Sequence, residues 1–187
     1  MSFRRCFFSA LALLATACPA HATQVIPMDT RELVHSSSDI VVATVQQVRS
    51  YWNAAHTRIQ TDVTVHVGEA LKGAGASNVT ITQMGGEVDG LRLSIAGTPA
   101  FKPGEDALLF LWKDAKGRRL VNGLAQGKFD IERDPVSGEA FVRRSLDGLT
   151  LLRGKTGAHV TAEAQPSRTR LSDFKREIQQ ALREDGR

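Results

Sequence analysis

The stretch IQTDVTVHV, residues 59 to 67, alternates two kinds of side chain more regularly than any other part of the sequence. Branched side chains take one face, at Ile59, Thr61, Val63, Val65 and Val67. Polar side chains take the other face, at Gln60, Asp62, Thr64 and His66. A period of two places successive side chains on opposite sides of a β-strand. The stretch therefore predicts a strand with one buried face and one solvated face.

Further strands are expected on both sides of this one, because other segments are rich in branched residues or alternate in the same way. These segments are 40–48, 79–83, 91–95, the apolar run ALLFLW at 107–112, and 119–131. The turn residues 134–138 (DPVSG) predict a hairpin whose return arm is 139–144. Two glycines, Gly123 and Gly127, lie inside an apparent strand pair, where glycine marks a bulge or a barrel corner. Residues 145–170 are weakly patterned and indicate loop or edge structure.

A helix is predicted near each end of the chain. Asp29 and Glu32 have the spacing of a capping box, which predicts a short helix over 30–37. Ser172 fits an N-cap for a C-terminal helix, 172–184, whose apolar side chains fall on one face. Six to eight short strands with these two helices predict a mainly β fold, either an OB-like barrel or a sandwich.

The first 22 residues have the layout of a secretory signal peptide. Arg4 and Arg5 precede a short apolar run, and Ala20-His21-Ala22 supplies small residues at positions −3 and −1 of a cleavage site. The run is too short for a membrane span, which needs roughly 20 residues. The expected product is a single β-rich domain, residues 23–187, that is periplasmic or secreted. A lipoprotein anchored through Cys18 is the alternative.

Removal of 22 of the 187 residues leaves 165, which fits one domain. Both cysteines, Cys6 and Cys18, lie in the removed segment, so the remaining chain has no disulfide, thiol nucleophile or cysteine-based metal site. Loss of Arg4 and Arg5 leaves 22 basic against 20 acidic residues, a net charge of +2. This charge gives no electrostatic footprint for nucleic acid, and no stable membrane insertion is expected.

Four segments together resemble a group of exported bacterial proteins and, more distantly, the netrin-like and TIMP-like OB-fold domains. They are SSDIVVATVQQV (37–48), TDVTVHVGEALKG (61–73), VTITQ (79–83) and FKPGEDALLFLW (101–112). The resemblance implies a closed five-stranded barrel that serves as a binding module, often toward proteases or other extracellular partners. TIMP inhibitors place an N-terminal cysteine on a catalytic zinc, whereas this chain would begin Thr23-Gln24 and has no cysteine left. Only the fold and a general binding role are therefore implied.

The loop MGGEVDG, residues 84 to 90, is the first candidate site. Glu87 and Asp89 could form an acid/base pair or bind a cation, and Gly85-Gly86 could offer backbone N–H groups to an anion. However, the loop lacks the spacing of an EF-hand, a dinucleotide fingerprint and a P-loop lysine. The loop is therefore interpreted as a glycine-hinged turn with solvated acids, and as the natural place for a binding edge.

Tyr51 and Trp52 form the second candidate site, as a rim of the barrel core or as a stacking platform for a sugar or peptide. The histidines have no zinc-site spacing: Asp62 and His66 share a strand face but lie roughly 13 Å apart along it. There is no Gly-x-Ser-x-Gly elbow for serine catalysis. No catalytic residue, metal or cofactor is therefore expected.

The sequence predicts an exported, non-enzymatic module that binds a protein or peptide, with a peptidase-like partner by analogy to the resembled domains. The expected contact residues are Gly85, Gly86, Glu87, Asp89, Tyr51 and Trp52. Two alternatives remain open: a cofactor-independent hydrolase that uses Glu87 and Asp89, and a carbohydrate-binding module.

Overall fold

The computed structural model describes residues 23–73, 75–146, 149–153, 158–161 and 168–186. The predicted signal peptide, residues 1–22, and both cysteines lie outside the described residues. None of the helices in the described ranges is long and apolar enough to cross a membrane.

The described residues contain two α-helices, a short 3₁₀ turn and a series of β-strands. The helices are α1 (Thr30–Ser36) and α2 (Leu171–Asp185), and the 3₁₀ turn is Leu124–Gly127. The first strands are β1 (Thr23–Val25), β2 (Asp39–Trp52), β3 (Ile59–Lys72), β4 (Asn78–Met84), β5 (Gly86–Val88) and β6 (Leu91–Leu93). The later strands are β7 (Asp106–Lys113), β8 (Arg119–Val121), β9 (Lys128–Arg133), β10 (Ala140–Arg144), β11 (Leu149–Arg153), β12 (Ala158–Thr161) and β13 (Thr169–Arg170).

Five strands close into a barrel in the order β2-β3-β4-β8-β7, with β7 returning to pair with β2. All of these neighbours are antiparallel except β4 and β8, which meet in parallel at Ile81 and Arg119. β2 is long enough to pair with both β3 and β7, and its register against β3 shifts three times. Such irregularities bend a strand and so allow a sheet to close. The prediction of a mainly β fold is confirmed, and of its two alternatives the structure shows a closed barrel; β9, β10 and β13 extend the sheet beyond β7.

The alternating stretch 59–67 lies in β3 and lines the barrel as predicted. Ile59, Thr61, Val63 and Val65 are buried, whereas His66 on the opposite face is exposed. The alternation therefore identified both the element and the direction of its side chains.

β7 is apolar at successive positions and does not alternate as β3 does, because both of its faces are buried. Leu109 and Leu111 point into the barrel interior. Leu108 and Phe110 point outward into a second core, which packs between the sheet and the two helices. Phe174 and Ile178 of α2 enter this second core. A strand buried on both faces reads as a continuous hydrophobic run.

Several boundaries differ from the predictions. The C-terminal helix begins at Leu171, so Ser172 lies inside the helix and Arg170 occupies the cap position without a side-chain cap. Gly123 and Gly127 do not interrupt strands, since they flank and end the 3₁₀ turn between β8 and β9. The segment 145–170, interpreted as loop or edge, contains β11, β12 and β13. β11 is stabilised by non-local pairing with β1, which leaves no periodicity in either segment.

Candidate functional site

Residues 84 to 93 form a small two-stranded ribbon rather than a flexible loop. β5 and β6 pair in antiparallel register, with Gly86 opposite Leu93 and Val88 opposite Leu91. The turn between them is Asp89-Gly90, and both residues have positive φ, 52° and 76°. This is the type I′ geometry that two-residue hairpins prefer and that the Asp-Gly dipeptide signals in a sequence. The interpretation of the loop as a plain turn missed that signal.

Gly85 and Gly86 serve the packing of the ribbon against the barrel. The hydroxyl of Thr61 donates to the Gly85 carbonyl over 2.6 Å, and the Gly85 N–H donates to the Ile59 carbonyl over 2.9 Å. A Cβ at Gly86 would overlap the hydroxyl oxygens of Ser50 and Thr61. The first glycine therefore has no free N–H for an anion, and the second allows the ribbon to approach the barrel closely.

Tyr51 and Trp52 both lie at the end of β2, but they do not form one platform. As neighbours on a strand they point to opposite faces. Burial and the nearby Asp62 carboxylate raise the pKa of Tyr51. Trp52 reaches the ribbon instead, donating a hydrogen bond of 3.4 Å to Asp89, and stacks on His56 with ring centroids 6.2 Å apart. The structure thus brings Trp52 together with the 84–90 segment and leaves Tyr51 on the other side of the sheet.

The two carboxylates of the ribbon have no catalytic arrangement. Glu87 accepts two hydrogen bonds from the guanidinium of Arg92, at 3.0 and 2.7 Å, across the ribbon. Asp89 accepts from the Trp52 indole. Both residues are exposed, whereas a catalytic acid needs an environment that tunes its protonation. The geometry gives the hydrolase alternative no support.

A stripe of exposed apolar side chains runs along the outer strand of the ribbon, β6, and continues just past its end. Leu91, Leu93 and Ile95 alternate along the chain and are 58%, 37% and 38% exposed. Among the described residues β6 pairs only with β5, so its other edge has no partner strand. Because Val88 and Leu91 flank a two-residue turn, the N–H and C=O groups of the next residue, Arg92, point outward along that edge.

A small cleft of about 160 Å³ lies next to this stripe. Gly85, Gly86, Leu93 and Ile95 line it. Gln83 also lines the cleft, and its buried side-chain carbonyl oxygen accepts no hydrogen bond from any described residue. The edge strand, its apolar stripe and this cleft together form the candidate binding edge.

Metal binding has no support in the described ranges, where no three histidine, cysteine or acidic side chains are grouped to hold an ion. His66 contacts Asn78, and Asp62 accepts from Thr82 over 2.8 Å. Asp62 and His66 thus each have a separate partner and do not form a metal site together. The side chain of His159 is not among those that the structure describes.

A second cleft, of about 300 Å³, contains the buried cation Lys128, which no sequence pattern indicated. Its ammonium group lies 3.0 Å from a carboxylate oxygen of Glu105, contacts Asp130, and sits 5.1 Å from the Phe101 ring centroid. Two carboxylates around one ammonium offset the cost of burying the lysine charge, although the contact with Glu105 is an ion pair without hydrogen-bond geometry. The cluster is therefore structural.

Comparison of the chain with family models, with curated proteins and with solved structures found no match.

Proposed function

We propose that this chain is an exported binding module that adds an extended peptide segment of a protein partner to the free edge of β6. The observation that carries this proposal is the exposed stripe of Leu91 and Leu93 on β6 and of Ile95 just after it, since the outer edge of β6 is unpaired among the described residues. In strand addition, main-chain hydrogen bonds give affinity and pockets for alternate side chains give specificity.

Burial supports the choice of this edge over other surfaces. Six large apolar side chains are conspicuously exposed in the described part of the chain, and three of them are those of the stripe. The other three, Ile26, Trp112 and Val136, lie on separate segments. Scattered exposed apolar residues are normal, whereas a contiguous group indicates an interaction site.

The proposed partner sequence follows from the geometry of the edge. A strand paired with β6 would place every second side chain over Leu91, Leu93 and the small cleft, so those positions of the partner should be apolar. The cleft has room for a single aliphatic or aromatic side chain. Arg92 lies on the opposite face, where its ion pair with Glu87 leaves the ribbon solvated.

The proposed location and partner class are supported by the sequence and by the family that it resembles. The signal-peptide layout of residues 1–22 supports an envelope or extracellular setting. The resemblance to netrin-like and TIMP-like domains supports a peptidase-like protein as the partner. A TIMP-type contact through an N-terminal cysteine is not part of this proposal, because that cysteine is lacking.

Affinity capture with paired variants tests the proposal. The full chain, Leu91→Glu/Leu93→Glu and the control Val136→Glu would be immobilised and exposed to envelope and secreted fractions of the host. The control adds one charge at a side chain that is 95% exposed and outside the edge. A partner retained by the native chain and the control, with about tenfold less bound to the double variant, is expected. Equal retention on all three columns would exclude the β6 edge.

A further inference from the structure

A cleft of about 540 Å³ lies between β10, α2 and the start of α1. Its apolar part is lined by Phe129, Val142 and Phe174, which also belong to the second core. Arg144 also lines the cleft. A volume of this size is typical of pockets for small ligands.

The half-buried guanidinium of Arg144 has few partners among the described residues. It donates one hydrogen bond of 3.3 Å to the Met28 carbonyl, and its charged carbon lies 4.5 Å from the centroid of the Phe129 ring. No carboxylate of a described residue lies within ion-pair distance of it. Burial lowers the pKa of this guanidinium to about 10, which leaves it charged at neutral pH. A planar guanidinium that donates only one hydrogen bond to the described residues is suited to bidentate binding of a carboxylate.

The rim of the cleft carries negative charge. Asp29, Glu32 and Glu177 line it, so three carboxylates against one guanidinium give a formal charge of −2. Asp29 and Glu32 each accept a backbone N–H in the capping box of α1. Glu177 makes no hydrogen bond or ion pair with a described residue, and it lines the same cleft as Arg144.

This charge pattern selects between ligand classes. A phosphate or sulfate would be attracted by Arg144 but repelled by the three acids. A simple amine would be attracted by the rim but would place its positive charge near the guanidinium. A ligand with both charges satisfies both parts of the cleft, and an apolar body would lie on the aromatic floor.

We propose that this cleft binds the zwitterion of a free amino acid or short peptide with an apolar side chain. The ligand carboxylate lies on Arg144, and the ligand ammonium group lies on Glu177. The site is separate from the β6 edge, so it stands independently of the peptide-binding proposal.

Calorimetric titration of the full chain with leucine and with dileucine tests this assignment. Two analogues separate the charges: 4-methylpentanoate lacks the ammonium group, and 3-methylbutylamine lacks the carboxylate. We expect leucine or dileucine to bind, with both analogues weaker by about tenfold or more. An analogue that binds as tightly as the zwitterion, or no binding of either zwitterion at millimolar concentration, would overturn the proposal.

Variants of neighbouring residues test the role of each charge. Arg144→Gln is expected to abolish binding, and Glu177→Gln to weaken it by about tenfold. Arg143→Gln is the matched control, because Arg143 lies on the other face of β10 and pairs with Glu132. Circular dichroism would establish that each variant is folded, and Arg144→Lys, which keeps the charge, should retain part of the affinity. Unchanged binding in folded Arg144→Gln would contradict the assignment.

Discussion

The indole Nε1 of Trp52 donates a hydrogen bond to the carboxylate of Asp89 over a distance of 3.4 Å. Trp52 is the last residue of β2, and Asp89 is the first turn residue of the β5–β6 ribbon. The contact joins the rim of the barrel to the ribbon, alongside the Thr61–Gly85 hydrogen bond. Two segments that are far apart in the sequence thus form one surface, and the free edge of β6 is held against a rigid support.

The Trp52–Asp89 contact can be followed by fluorescence. Trp112→Phe leaves Trp52 as the only tryptophan of the chain, which has two. In that background, Asp89→Gly keeps a turn residue that accepts positive φ but removes the hydrogen-bond acceptor. We expect the Trp52 emission to shift to longer wavelength, because the ring becomes more exposed, with a stability change below about 1 kcal/mol. Glu87→Gln is the control and should leave the emission unchanged.

The same single-tryptophan protein tests the carbohydrate alternative. Quenching of Trp52 on titration with oligosaccharides would indicate a sugar platform. We expect no quenching, because the ring already stacks on His56 and donates to Asp89.

Gly86 should be intolerant of any side chain. Its φ of 133° and the nearby hydroxyls of Ser50 and Thr61 leave no room for a Cβ. Gly86→Ala is expected to reduce the free energy of unfolding by about 2–4 kcal/mol. Gly90→Ala is the matched control, since Gly90 also has positive φ, 76°, but has no atom near the position of a Cβ. It should lower stability by only about 1 kcal/mol. Urea unfolding measures both variants. If Gly86→Ala and Gly90→Ala lose the same free energy of unfolding, the close approach at Gly86 does not contribute to stability.

Asp134 should make the stability depend on acid pH. The N–H groups of Ser137 and Val136, followed by the Ser137 hydroxyl, hold the pKa of this carboxyl below its ordinary 3.8. A carboxyl whose pKa is depressed on folding stabilises the fold fully above its unfolded value, and this contribution is lost as pH falls through the folded value.

Asp134→Asn should therefore be less stable than the native chain at neutral pH. The difference between the two should narrow as pH falls below 3.8. Urea unfolding midpoints measured across this range check the prediction. A difference that persists unchanged at the acid limit would show that the charge of Asp134 is not its source.

If the chain is exported, the N-terminus of the purified product should be the new one created by signal-peptide cleavage. If residues 1–22 are a signal peptide, protein recovered from the envelope or medium should begin at Thr23. Intact-mass analysis and N-terminal sequencing measure this directly. A product that begins at Cys18 with an added lipid would establish the lipoprotein alternative, and an uncleaved chain in the cytoplasm would contradict export.

The sequence predicted a mainly β fold, a barrel or a sandwich, because the local periodicity of a strand indicates which of its faces are buried. The alternation at 59–67 and the unbroken apolar run of 107–112 both correspond to burial in the structure. Other features depend on contacts that are distant in the chain. β11 pairs with β1, and the cleft of Arg144 is built from α1, β10 and α2, so neither has a local signature. Asp89-Gly90 is the exception, because its hairpin signal was present in the sequence.

The most direct test of strand addition is hydrogen exchange at the backbone amide of Arg92. Peptides selected from a random display library on the immobilised full chain would serve as ligands, and exchange would be measured by NMR with and without peptide. We predict that the selected peptides alternate apolar residues and slow exchange at Arg92, with little change at Val136 in the distant hairpin. Failure to select any peptide, or protection confined to residues outside 91–95, would contradict the account.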